Sequence, residues 1–122
     1  MRPKIYVAHA YGRRHNLSFE QCEQNVKDCI RNFTLPLMDM GYNPFTPLLE
    51  HYIYEDNWVN AQPEDEVYER VSAWIKDCSK FLVAKNGHWE NSGVDREIQI
   101  ALRYGLSIYY SLDSVPDLRD ER

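Results

Sequence analysis

Apolar residues fall along this chain in short runs and helical stripes that alternate, and the alternation predicts the elements. Lys4 to Ala10 (KIYVAHA) is a compact β-branched and aromatic run, which reads as a first strand. A polar loop, Tyr11-Gly12-Arg13-Arg14-His15-Asn16, follows it. Ser18 with Gln21 has the spacing of a capping box. Cys22, Val26, Cys29, Ile30 and Phe33 then recur every three or four residues, as one face of a helix does. Pro36 should kink or end that helix, and Gly41 marks its stop. Phe45-Thr46-Pro47 predicts a short second strand.

Residues 48–62 are aromatic and acidic with no clean period. They predict an irregular lid over the strand ends, with room for one short helix. Pro63, followed by Glu64, Asp65 and Glu66, suits a helix start. Val67, Val71, Trp74, Ile75 and Cys78 form the buried stripe of that helix. Lys80 to Ala84 predicts the third strand, and a loop rich in polar and aromatic residues runs on to Gly93. A helix from Val94 to Tyr104 is expected to bury Val94, Ile98, Ala101 and Leu102 and to stop at Gly105. Leu106 to Tyr110 predicts the fourth strand. Strands alternating with helices imply an α/β fold: a parallel, Rossmann-like or flavodoxin-like sheet between two helical layers. The reading is one domain over 1–112 with a polar, loose tail at 113–122.

Composition narrows the function classes. The net charge of −5 disfavours general nucleic-acid binding, which needs a basic face. It leaves room for a small anionic ligand, because local geometry overrides net charge. The opening stretch MRPKIYVAHAYGRR has too short an apolar run for a signal peptide, and no segment reaches membrane-spanning length. Three cysteines, Cys22, Cys29 and Cys78, form no CxxC pair and read as buried thiols in a reducing compartment. A cytoplasmic protein with no metal site and no cofactor is the expectation.

Ligands of such sheets lie beyond the carboxyl ends of the strands. Two loops there carry suitable chemistry. After the third strand, Asn91, Ser92 and Gly93 lead into a helix start, whose free N–H groups favour a phosphate or carboxylate. Glu97 lies in the first turn of that helix, near its apolar face, where the helix start favours an ionised carboxylate. It could act as a nucleophile or charge stabiliser. The plainer alternative is a cap at Ser92, a turn at Gly93 and a solvated acid at Glu97. After the first strand, Arg13 and Arg14 beside Gly12 could clamp a phosphate, or form a merely solvated basic loop. His9 is either a ligand-facing or a core histidine. His51, His88 and Trp89 occupy the loops nearest the expected ligand, and Trp89 could stack on a base.

These residues resemble a known family. Lys4 through Arg14 looks like the opening of the nucleoside 2-deoxyribosyltransferase superfamily, nearest its nucleoside 5′-monophosphate N-glycosidase branch and its small uncharacterised relatives. Trp74 through Val83, then Ser92-Gly93-Val94-Asp95-Arg96-Glu97 and Ala101, resemble the later motifs in the same order. The resemblance implies N-glycosidic cleavage or 2-deoxyribosyl transfer on a nucleoside or nucleotide. Glu97 falls on the nucleophile and Tyr6 on the tyrosine that orients it. Ser92 and Gly93 fall on the turn that holds the substrate's 5′ end, and Arg13 or Arg14 would add phosphate charge. Asn91, Asp95, His9, His51 and Trp89 complete the set of candidate ligand contacts. No metal or cofactor is implied, and a homodimer or higher assembly is. The chain departs from the pattern at Val71, where the family carries an aspartate that helps protonate the leaving base. Glu69, Asp95 and His88 are nearby candidates for that role. Asp95 itself replaces a small residue, and His9-Ala10 replaces a small pair. The alternative reading is a non-catalytic nucleotide-sensing module on the same fold.

Overall fold

The computed structural model describes residues 2–10, 17–47, 64–85 and 93–121, with 64–67, 120 and 121 described by backbone alone. Four parallel strands form one sheet in the order β2-β1-β3-β4. They are β1 (Lys4–His9), β2 (Asn43–Phe45), β3 (Lys80–Ala84) and β4 (Ser107–Tyr109). The connections described are α1 (Phe19–Cys29), a π turn (Ile30–Thr34) and α2 (Leu35–Asp39) between β1 and β2, α3 (Glu64–Lys76) before β3, and α4 (Val94–Arg103) before β4. This is the α/β parallel-sheet architecture that the alternation of strands and helices predicts.

The pleat divides the core into two layers. Tyr6, Ala8, Phe81 and Val83 point to one face and pack with Val71 and Ile75 of α3 and Val94, Ile98 and Ala101 of α4. Ile5, Val7, Leu82 and Ala84 point to the other and pack with Cys29, Leu37 and Tyr42. Both central strands are buried on both faces, as parallel strands sandwiched by helices must be.

Local chemistry sets the element ends. Ser18 and Gln21 form both bonds of the capping box at the start of α1. Gly41 and Gly105 take positive φ values of 100° and 75°, where side chains strain the backbone, and each ends a helical segment. Pro36 does not end the first helical segment. It occupies the first turn of α2, and the Leu35 N–H bonds the Ile30 carbonyl five residues back. The ladder widens into a π turn just ahead of the residue that has no N–H to donate.

Several boundaries differ from expectation. β2 is Asn43–Phe45, not Phe45–Pro47, because Lys4, Ile5 and Tyr6 pair with Asn43, Pro44 and Phe45. Proline at the middle position is tolerated because β2 is an edge strand. Leu102 is 57% exposed, and Ile100 is buried in its place, because α4 turns that side toward α3 and β4. The segment after β4 is not loose. It forms two 3-10 turns, Leu112–Ser114 and Leu118–Glu121, and buries Val115. The Tyr42 hydroxyl donates to the Pro116 carbonyl at 2.6 Å, and the Leu118 N–H donates to the Met40 carbonyl at 3.0 Å. Polar composition misled here: two or three apolar anchors suffice to dock a short segment. The expected lid at 48–62 lies outside the described residues.

All three thiols are free and buried. Burial pushes Cys29 from its ordinary 9.0 up to about 12. Cys78 rises to about 11, mainly by burial, with Lys4 opposing and Asp77 adding to the shift.

Two outcomes follow. Tyr42→Phe should cost about 1 kcal/mol, the typical net worth of one hydrogen bond, and should open the tail to proteolysis after Val115. Chemical denaturation and limited proteolysis measure both. The raised thiol pKa values stabilise the fold fully below pH 9 and lose that contribution as pH climbs through the folded-state values. The urea midpoint of the wild type should therefore fall more steeply between pH 8 and 11 than that of Cys29→Ala. Parallel slopes would refute it.

Candidate functional site

Chain direction across the sheet reverses between β1 and β3. From β1 the chain moves outward to β2, and from β3 it moves outward to β4 on the other side. The crest where these paths part, at His9 and Ala84, is where such sheets bind ligands. Of the described candidates, His9 ends β1 at this crest, and Gly93 and Glu97 stand at the start of α4.

Tyr6 sits on the α3/α4 face and is fully buried. Its ring stacks on Phe81 of β3, with centroids 5.4 Å apart and planes 15° apart. On its other side lies Phe45 of β2, at 6.0 Å and 21°. Phe45 in turn meets Trp74 of α3 at 5.0 Å. The strand register makes this row, since Tyr6 pairs with both Phe45 and Phe81. Wedged this way, the Tyr6 ring cannot swing, and its hydroxyl oxygen is held inside the protein.

Glu97 projects from the first turn of α4. It is half-buried, and its Oε2 is shielded from solvent. Its backbone N–H bonds the Gly93 carbonyl at 3.1 Å. That carbonyl also lies 3.4 Å from the Tyr68 hydroxyl, which donates to it from α3. Gly93 itself has an ordinary φ of −63°. Its lack of a side chain is a matter of space: a Cβ would stand 2.5 Å from the Tyr68 hydroxyl. The neighbour that needs this space is Tyr68. The Arg96 guanidinium lies 4.2 Å over the Tyr68 ring, a cation–π contact that steadies the same turn.

The structure thus places Tyr6, Gly93 and Glu97 on the side of the sheet covered by α3 and α4. His9 goes elsewhere. It pairs with Ala84, and both alternate onto the opposite face, toward α1. There it is 8% exposed with its Nδ1 buried. Asp95 is exposed on α4. Gly12, Arg13, Arg14, His51, Trp89, Asn91 and Ser92 lie outside the described residues. Val71, at the position of the expected aspartate, is a buried core residue between the helices.

Tyr68 is the residue that sequence reasoning missed. Its spacing from Val71 and Ile75 puts it on the same helical stripe, which was the available signal. Among the described residues no cluster of three or more His, Cys, Asp or Glu side chains could hold a metal ion. No described helix is long and apolar enough to cross a membrane. Comparison with protein-family models and with curated proteins finds no match to the chain.

The Tyr68–Gly93 contact has a measurable signature. Gly93→Ala should cost about 1–3 kcal/mol by overpacking. In a Tyr68→Phe background the same change should cost less than about 1 kcal/mol, since the obstructing oxygen is gone. Equal costs in the two backgrounds, read from denaturation midpoints of all four proteins, would remove the steric explanation.

Proposed function

We propose that this protein cleaves, or transfers the sugar across, the N-glycosidic bond of a nucleoside or nucleoside 5′-monophosphate, with Glu97 as nucleophile. The observation that carries the reading is the position of Glu97: in the first turn of α4, with one carboxylate oxygen withdrawn from solvent on the face that also buries the Tyr6 hydroxyl. The resemblance of residues 4–14, 74–83 and 92–101 to the nucleoside 2-deoxyribosyltransferase superfamily supports it.

In the proposed reaction a Glu97 carboxylate oxygen bonds to the anomeric carbon. The carbon–nitrogen bond breaks and its electron pair leaves with the base, which takes up a proton. Water then bonds to the same carbon as the Glu97 ester breaks, giving the free sugar; an acceptor base in place of water gives transfer. Two displacements retain the anomeric configuration. Tyr6, immobilised between Phe45 and Phe81, serves to fix the carboxylate's direction. The helix start favours negative charge at the carboxylate and at a substrate phosphate. The buried free thiols fit a reducing, cytoplasmic setting. Homo-oligomerisation is part of the same proposal, supported by the exposed apolar side chains of Leu102 and Tyr104 on one end of α4.

One observation favours a second reading, a nucleotide-binding module without turnover. Val71 is apolar and packed in the core where the resemblance calls for an acid. No carboxylate there helps protonate the leaving base.

Chromatography of a nucleoside and nucleoside monophosphate panel separates the two. The first reading expects free base, with release reduced at least about a thousandfold in Glu97→Gln and the melting temperature little changed. Thermal stabilisation by a nucleotide with no base released would select the binding module. Release that survives Glu97→Gln would end the nucleophile assignment.

A further inference from the structure

The outer side of α2 carries a short exposed stripe with opposite charges at its two ends. Leu35 and Met38 are 51% and 46% exposed. Arg31, in the π turn ahead of them, and Asp39, the last residue of α2, are exposed as well. We propose that this stripe is a two-fold interface: α2 of one molecule packs antiparallel on α2 of a second copy, with Arg31 of each facing Asp39 of the other.

The stripe is held facing outward. Leu37 is fully buried with Ile5, Val7 and Tyr42, which anchors the inner side of α2 on the sheet. The Thr34 and Thr46 hydroxyls share a hydrogen bond, which ties the start of α2 to the chain just past β2. At the other end, Arg2 Nη1 donates to the Met38 carbonyl at 3.2 Å. Leu35 and Met38 are three apart and so stand together on one side of the helix. Anchored this way, α2 cannot roll to bury them against its own sheet.

Single exposed apolar residues are ordinary on a protein surface. The charges beside these two select the occupant. Arg31 and Asp39 each lie four residues from Leu35, in opposite directions. In an antiparallel helix pair centred on Leu35, residues equidistant from the centre meet. Both Arg31–Asp39 pairs then form together, with the apolar side chains between them. A two-fold contact demands this kind of self-complementarity. Parallel packing would instead set Arg31 on Arg31 and Asp39 on Asp39. Among the described residues neither side chain forms an ion pair within its own chain, so both charges are available.

Other occupants fit less well. A partner of a single charge sign would be attracted at one end of the stripe and repelled at the other. Strand addition at the adjacent edge is opposed by Pro44 in β2. A stripe this short buries little area, which places the association in the weak, concentration-dependent class. The surface is distinct from the end of α4, and the inference does not depend on the glycosidic reading.

Sedimentation of the full chain over a concentration series reaching about 1 mM should show a reversible dimer. Arg31→Glu and Asp39→Arg, taken singly, each set two pairs of like charges face to face and should weaken it at least about tenfold. An equimolar mixture of these two variants should associate about as tightly as wild type, because every facing pair is then opposite in sign. That rescue also shows that both variants are folded. Met38→Glu should weaken the dimer as well, whereas Leu102→Ser, which removes an apolar side chain of α4, should leave it intact. A monomer at every concentration would overturn the proposal. So would a mixture that associates no more tightly than its components, or association lost in Leu102→Ser but retained in Arg31→Glu and Met38→Glu.

Discussion

The lateral row of rings across the parallel sheet is the contact on which the candidate site depends. Phe45, Tyr6 and Phe81 stand on three adjacent strands at matched register, and Ile108 of β4 continues the row beside Phe81. Aromatic side chains bury large apolar areas, and stacked pairs gain further from their geometry. A one-residue slip of either neighbour would turn its ring to the opposite face. The row therefore fixes register, and register fixes which atoms reach the crest. Tyr6 could have been an ordinary core aromatic. Placed between two rings in this row, its polar end is held at a set depth beneath α4.

The turn that carries Glu97 is held from below by α3. Tyr68 reaches the Gly93 carbonyl with its hydroxyl and supports Arg96 with its ring. A single side chain thus links two helices at the point where the nucleophile candidate departs from the backbone. The placement of Glu97 depends in part on a side chain from the neighbouring helix.

Much of the fold was legible in the sequence, for reasons visible in particular residues. The third strand is bounded by the residues expected, because KFLVA is a short apolar run between polar neighbours. The capping box and the two positive-φ glycines have local causes, so local reading finds them. What was missed is decided over long range. The extent of β2 depends on its pairing with β1, not on its own composition. The docked tail depends on Tyr42 and Met40, more than 70 residues away in sequence. Tyr6 and His9 both come from one short strand, yet lie on opposite faces. Periodicity of two separates them, a distinction lost when a strand end is read as a single cluster. The glycosidic proposal rests on the ordered motifs of residues 4–14, 74–83 and 92–101, not on periodicity.

The sheet's outermost strands, β2 and β4, are only three residues long. Each leaves few main-chain donors and acceptors open along its outer side, and Pro44 removes one donor from β2 outright. Continuation of the sheet from one molecule into the next is therefore poorly supported, which protects against fibre-like stacking. Among the described residues, the surface left for recognising a second copy is that of the helical layers, whose exposed side chains can diverge without disturbing the strands beneath.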